Sequence, residues 1–583
     1  MKATFVNVLV LSLACVSRMI VPATACAEET VAFTHVNLVP MDSERVQKER
    51  TLIVRNGRIA EIGPANKLQV PDGALTIDGK DKYLMPGLVD MHAHLNSPRE
   101  FPLYLANGVT TVYNLNGRPA HLLWRDRIRK GQMLGPNIYT CGPTIRRADK
   151  ADEARRIVEE QSKAGYDSIK IYNDISNEAY PVLVATAREH DMLVVGHIPR
   201  PPGLEGVLKA HQAIAHAEEY IYTFFKDRVD DRARIPEAVA ATHKANVPVI
   251  LTLVAYDHIL RQAEDLPRFL ARPETKYLAP WVLQSWGPGV NVYNQRFRSP
   301  ERQKYLRNGL AFQKELVKAL HAAGVRIFVG TDAMNPGVVP GFSAIEELHN
   351  LNEIGFTPFE AILAATRLPA EFLCHEGKFG TVQVGKSADL LLVSRNPLAD
   401  LAAVDHPAGV MARGHWLSES QLKAMLDAVP AAYKTEEEYV KGNIDRDAGR
   451  VIQYLDENDP FENLAGQLAF DIVLDGGIPK LMKLYGELKK TRPNAALLQE
   501  QAMNSLGYKL LQRDKKAAIE VFKFNVEAHP KSANVYDSLA EAFLTTGDKD
   551  LAIKFYKKAL EVDPLFRNAA DMLKKIEHGD TAK

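Results

Sequence analysis

Cysteine is scarce in this chain of 583 residues: Cys15, Cys26, Cys141 and Cys374 are the four, and no two stand in C-x-x-C spacing. That excludes a zinc knuckle and a disulfide framework. Cys141 and Cys374 lie far apart, and nothing in their spacing pairs them. An excess of charge of either sign is missing too, with 72 basic side chains against 72 acidic ones. No overall field therefore recruits nucleic acid or an anionic membrane. Phosphate-cradling glycine loops and serine-nucleophile elbows are absent. Past the first residues no apolar run is long enough to span a bilayer. What is present is the profile of an ordinary globular protein, 46% hydrophobic and 25% charged, with length enough for several domains.

The N-terminus differs in kind. Met1-Lys2 precedes an apolar run from Phe5 to Val16, and Ala23-Thr24-Ala25 or Ala25-Cys26-Ala27 offers small residues for cleavage. Residues 1–27 read as a secretory signal peptide, so the expected location is periplasmic or secreted. The run is short for a membrane anchor and Arg18 interrupts its continuation. A lipoprotein, with Cys26 as the lipidated residue, is the lesser alternative because no leucine stands just upstream.

From residue 28 to 85 the chain reads as short β segments joined by turns, with Asn56-Gly57 as a type I′ hairpin signal. After Met85-Pro86-Gly87 apolar strand-like runs alternate with helical segments: Val109–Val112, Ser168–Ile171, Leu193–Val195, Ala213–Ala215, Val247–Leu251 and Arg326–Val329. Repeated β-then-α units predict an α/β fold with a (β/α)8 TIM barrel over residues 86–377. The β character returns in Gly380-Thr381-Val382, Ala388–Val393 and Val410-Met411-Ala412. Residues 378–420 are therefore expected to rejoin residues 28–85 in a small composite β-sandwich domain. A helical linker or cap is expected over 421–494. In residues 495–575 Pro530 and Pro564, Ala518 and Ala552, and Phe522 and Tyr556 recur at the 34-residue period of a tetratricopeptide repeat. Such an array is either a packing appendage or a groove for a protein or peptide partner.

Pro86-Gly87-Leu88-Val89-Asp90-Met91-His92-Ala93-His94 ends an apolar run in two histidines one residue apart. On a strand the period of two sends both imidazoles to one side, the geometry of a chelate. Lys170, His197, His216 and Asp332 each stand at or near the end of a later apolar run, where a barrel displays its catalytic groups. Taken singly, each has a plain reading: a snorkelling lysine, satisfied core histidines, a helix N-cap. Their joint occurrence in chain order is what carries weight. Arg146, Arg147, Tyr172, Tyr256, His258 and residues 335–342 are expected on or near loops after strands, where recognition residues would sit, and each reads equally as an ordinary loop side chain.

The order His92-x-His94, Lys170, His197, His216, Asp332 resembles the metal-dependent amidohydrolase superfamily, most specifically in residues 86–94 and in Gly330-Thr331-Asp332. The resemblance covers about residues 30 to 420 and is closest to the imidazolonepropionase-like and Xaa-Pro dipeptidase-related branch. It implies two divalent metal ions, with zinc suited to the donor set. His92, His94 and Asp332 would hold one ion and His197 and His216 the other, with Lys170 bridging them as a carbamate. It also implies a metal-bound hydroxide as nucleophile, Asp332 as general acid and base, and hydrolysis of a carbon–nitrogen bond in an amide, cyclic amide or dipeptide-like small molecule. The alternatives are an esterase or phosphotriesterase on the same site, or a non-catalytic exported binding protein that uses its repeats. A mononuclear deaminase is disfavoured by Lys170. One departure from the family pattern is Gly196-His197-Ile198-Pro199, where small residues more usually follow the histidine.

Overall fold

The computed structural model describes residues 30–289, 291–373, 378–434, 463–491, 495–511, 514–564 and 566–577. The expected signal peptide, Cys374 with any pairing to Cys141, and residues 435–462 of the expected linker lie outside the described residues. The chain forms two compact units, 1–433 and 434–583.

In the first unit Val31–Leu38, Gln47–Arg55 and Arg58–Pro64 form an antiparallel meander. Its tight turn follows from Asn56 and Gly57, which adopt φ of 51° and 71° and so form the mirror-image turn that matches strand twist. Tyr83–Pro86 runs parallel to Val31–Leu38 on one edge and pairs antiparallel with Leu390–Val393 on the other. Gly409–Ala412 and His415–Ser418 continue outward from there. Segments more than 300 positions apart thus close over one core of Val31, Phe33, Leu52, Val54, Leu84, Leu390, Leu392 and Met411.

The composite β domain forms as one hydrogen-bonded sheet that folds over its core, so that the rings of Phe33 and Trp416 meet at 5.2 Å. Because Tyr83–Pro86 uses both its edges, the returning strands extend the same eight-stranded sheet instead of building a second one. Gly380-Thr381-Val382 is no strand. Val382 is anchored by a single backbone bond to Pro40 and contributes its side chain to the core.

Two parallel sheets follow. Leu88–Ala93, Val109–Asn114 and Asn137–Thr140 form one. Ile145–Ala148, Ser168–Ile175, Leu193–Gly196, Ala213–Ala215, Val249–Leu251 and Ile327–Val329 form the other. Single parallel bridges join them at Ala93 to Ala333 and at Cys141 to Ser168. All residues of Leu88–Ala93 and Val109–Asn114 are buried, the signature of strands covered on both faces. A long helical insertion separates the last two parallel strands and contains Leu253–Glu264, Leu266–Leu270, Pro280–Trp286, Val292–Phe297 and Pro300–Ala322.

The second unit is helical. Asn463–Thr491 carries a break at Gly477, followed by Pro479. Then come Glu500–Leu511, Lys515–Ala528, Ala533–Thr545, Lys549–Val562 and Arg567–Glu577. Of the residues that recur at 34 positions, Ala518, Phe522, Ala552 and Tyr556 are fully buried, whereas Pro530 and Pro564 are exposed. A Cβ on Gly507 would stand 2.5 Å from the Phe522 ring, so glycine permits the close approach of those two helices. Among the described residues no helix is long and apolar enough to cross a membrane.

Candidate metal centre

Each of the six nominated side chains lies within or just after a parallel strand, and the structure brings all six into one contiguous cluster. His92 and His94 stand two positions apart at the end of Leu88–Ala93, with ring centroids 5.2 Å apart. Asp332 Oδ1 lies 3.2 Å from His92 Nε2 and 2.8 Å from His94 Nε2. One donor atom from each of these three residues falls within 4.8 Å of the others. Lys170 Nζ approaches His92 Nε2 at 3.5 Å. The His216 ring lies 4.5 Å from that of His92 and 4.7 Å from that of His197.

The local backbone accounts for this convergence. Asp332 and His216 hold φ of 62° and 75°, a region costly for residues with a Cβ and one that clusters at functional sites. Asp332 is kept there by its backbone N–H, which donates to His92 O at 2.7 Å. Gly330 lets the two segments meet, since a Cβ there would stand 2.8 Å from His92 Cβ and 2.7 Å from Ile250. Asp90 ties them further: Oδ1 accepts from the backbone N–H groups of His92 and Thr331, both at 3.1 Å, and Oδ2 accepts from the Thr331 hydroxyl at 2.7 Å.

Burial governs the electrostatics. It lowers His92 to about 3, with the charge of Lys170 adding to the effect, and it lowers His197 and His216 below the ordinary imidazole value. Neutral imidazoles are the form that ligates metal. Burial also lowers Lys170 to about 8 against the pull of Asp332 and other acidic groups. That raises the share of neutral amine, the form able to take up carbon dioxide. Burial pushes the Asp332 carboxyl upward, but the charges of His92 and His94 and their hydrogen bonds hold it well below the usual range.

The donor set of His92, His94 and Asp332 fits a divalent cation. Metal-binding histidines have their second ring nitrogen fixed by another group, and two here show that arrangement. His197 Nδ1 meets Glu219 Oε1 at 2.6 Å, and His216 Nδ1 meets the Thr252 hydroxyl at 2.8 Å. His92 Nδ1 is buried with no hydrogen-bond partner among the described residues.

Asp90, Glu219 and Thr252 escaped the sequence reading. Each is one polar residue among many until the fold sets it against a histidine; the only local signal was Asp90 within the Asp90-Met91-His92 run. Glu218 escaped it as well. It is mostly buried, its Oε1 is 3.7 Å from His216 Nδ1, and burial beside Glu219 and Asp332 raises it to about 8.

The recognition candidates divide. Tyr172 packs its ring 4.2 Å from that of His197 and carries the Arg146 guanidinium 5.1 Å above its own. Arg147 turns to Asp149 at the surface. Tyr256 and His258 belong to the interior: Tyr256 packs with Leu260 and Leu306, and His258 meets Glu346 at 2.9 Å. Cys141 is a buried free thiol raised by burial to about 11, next to Ser168 and Tyr113, and is no nucleophile at neutral pH.

A model described as the amidohydrolase family matches residues 83–417. The chain is 23% identical over 400 residues to a 5-methylthioadenosine/S-adenosylhomocysteine deaminase of Caldanaerobacter subterraneus subsp. tengcongensis, covering 62% of this chain and 84% of that protein. A solved structure from Bifidobacterium longum, described as a candidate prolidase, aligns with a TM-score of 0.53 at 27% identity, over 69% of this chain and all of that one. A bottromycin amidohydrolase aligns with a TM-score of 0.57 at 24% identity, over 72% of this chain and 93% of its own.

Proposed function

The chain belongs to the amidohydrolase family, and from that premise we propose that it is a metal-dependent hydrolase of a carbon–nitrogen bond in an amide, cyclic amide or dipeptide-like small molecule. The observation that carries this reading is the convergence of His92, His94, His197, His216 and Asp332, near or just past the C-terminal ends of parallel strands, with Lys170 inside the strand Ser168–Ile175. In the same reading the two parallel sheets and their two bridges are a (β/α)8 barrel, with its chemistry at the face where such barrels carry it.

His92, His94 and Asp332 would hold one ion and His197 and His216 a second, with Lys170 bridging them once carbamylated. Neutral Lys170 adds its nitrogen to carbon dioxide, loses a proton and becomes an anionic carboxylate in place of a cation. When bound, such ions act as Lewis acids and lower the pKa of water from 15.7 to about 7.

The chain's own groups supply the remainder. Asp332 accepts a proton from the attacking water and returns it to the departing nitrogen. Glu219 and Thr252 hold the rings of His197 and His216 in one orientation. Tyr172, against His197, forms a wall of the substrate pocket. A deaminase relative favours deamination as a second reading. Lys170, buried inside the cluster, supports the two-ion arrangement over it.

Screening dipeptides, N-acyl amino acids and adenosine derivatives against protein of known metal content tests the proposal. Amide or dipeptide cleavage supports it, and turnover of the adenosine derivatives alone would replace it with the deaminase. Export rests on the Phe5–Val16 run and its small-residue sites, and N-terminal sequencing of the mature protein tests it. A tetratricopeptide array that receives a protein partner rests on the 34-residue spacing and the buried residues that share it.

A further inference from the structure

The turn after Asp332 carries a side chain aimed back at it. Asn335 Nδ2 donates to Asp332 Oδ2 at 2.6 Å, while Asn335 Oδ1 accepts from the Tyr293 hydroxyl at 3.0 Å. Tyr293 comes from Val292–Phe297 in the helical insertion, 42 positions away in sequence. A carboxamide has one donating and one accepting end. The carboxylate only accepts, so the NH2 end is turned to it and a flip would set two oxygens against each other, while the phenol hydrogen lies on Oδ1. Asp332 Oδ1 faces His92 and His94, so the Asn335 contact falls on the other oxygen and leaves it lone-pair capacity for a proton.

The arrangement is braced from behind. Gln262, fully buried, donates through Nε2 to Pro336 O at 2.7 Å, next to Asn335. Its Oε1 accepts from Asn291 Nδ2 at 2.8 Å. Asn291 caps the helix that carries Tyr293, accepting from the backbone N–H groups of Tyr293 at 3.1 Å and Asn294 at 2.9 Å. Asn294 Nδ2 donates in turn to Gln262 O at 2.8 Å. One glutamine thus ties together the two segments that supply Tyr293 and Asn335, and the Asn335 backbone N–H donates to Asp332 O at 2.9 Å.

We propose that Asn335 and Tyr293 are positioning residues that fix the carboxylate plane of Asp332, so that Oδ2 is the oxygen that carries the proton from water to the leaving nitrogen. This rests on the reading of Asp332 as the proton carrier. In that step water oxygen bonds to the carbonyl carbon and the carbon–nitrogen bond breaks. The electron pair of that bond goes to nitrogen, which takes the proton from Asp332. The helical insertion then belongs to the catalytic apparatus through Tyr293 and is more than a covering of the site.

The test uses the full chain as purified, with Tyr293→Phe, Asn335→Ala and Asp332→Asn variants and the best-cleaved dipeptide from a panel. Tyr293→Phe and Asn335→Ala are expected to lower kcat by about 10²-fold, the scale of a proton-transfer contribution, with KM and metal content near wild type. The second readout is independent of turnover. In protein labelled with ¹⁵N-asparagine, the Asn335 side-chain amide exchanges with solvent about tenfold faster in Tyr293→Phe, roughly the worth of one hydrogen bond. Unchanged kcat in both variants beside an inactive Asp332→Asn would overturn the positioning role alone. Full activity of Asp332→Asn would overturn the reading on which it rests. Unchanged amide exchange in Tyr293→Phe would remove the tyrosine from the network.

Discussion

Asp332 meets three demands at once: a left-handed φ, two histidine neighbours on one oxygen and an asparagine on the other. Replacing it by Asn keeps the shape but abolishes proton transfer, so kcat should fall by about 10²- to 10⁴-fold. Metal analysis should show most of the metal retained, and an active, metal-loaded variant would remove Asp332 from the role. Glu219→Gln and Thr252→Ala loosen the rings of His197 and His216, and titration with zinc should find affinity about 10- to 100-fold lower.

A further prediction concerns Glu347, which accepts hydrogen bonds from the backbone N–H groups of Leu253 and Val254 and from Asn350. Burial nonetheless raises it from 4.5 to about 7. The folded form therefore keeps a proton that the unfolded chain has released. Stability should fall as pH rises from about 4.5 to 7 and level off above. Thermal melts of Glu347→Gln should lack that portion of the slope. At this scale the clustering of the six nominated residues was legible because each stands at or near the end of an apolar run in chain order. Their supporting groups were not, because a contact such as Thr331 to Asp90 spans 241 positions and has no local pattern.

Among the elements, apolar runs bounded by turns marked the strands Val109–Asn114, Ser168–Ile175, Leu193–Gly196 and Ala213–Ala215 well. Asn137–Thr140 and Ile145–Ala148 were missed because asparagine, threonine and two arginines interrupt their apolar character. They are strands through their neighbours, a tertiary effect that overrides local preference. The return to the first sheet was visible as β character, but its place in a single sheet depends on the two-edged pairing of Tyr83–Pro86. Glycine 330 links element to site. Gly330→Ala should destabilise the protein by about 1–3 kcal/mol, because the new methyl group meets both Ile250 and His92. Denaturant unfolding with parallel metal analysis checks this, and a loss of metal larger than the loss of stability explains would show that the two segments must touch to form the centre.

For the whole molecule, metal binding by the folded state alone adds to stability by mass action. Chelation should therefore lower the melting temperature and raise hydrogen exchange around residues 92–94 and 331–335. Exchange in residues 500–577, part of the second compact unit, should stay as it was. The most direct test of the metal-centre account is elemental analysis of protein purified without added metal, paired with intact-mass measurement under gentle conditions in wild type and Lys170→Ala. About two divalent ions per chain, carbon dioxide on wild-type Lys170, and loss of both the modification and at least one ion in the variant are the expected result. One ion with an unmodified lysine would contradict the bridged pair, and repeated preparations without metal would contradict the centre itself.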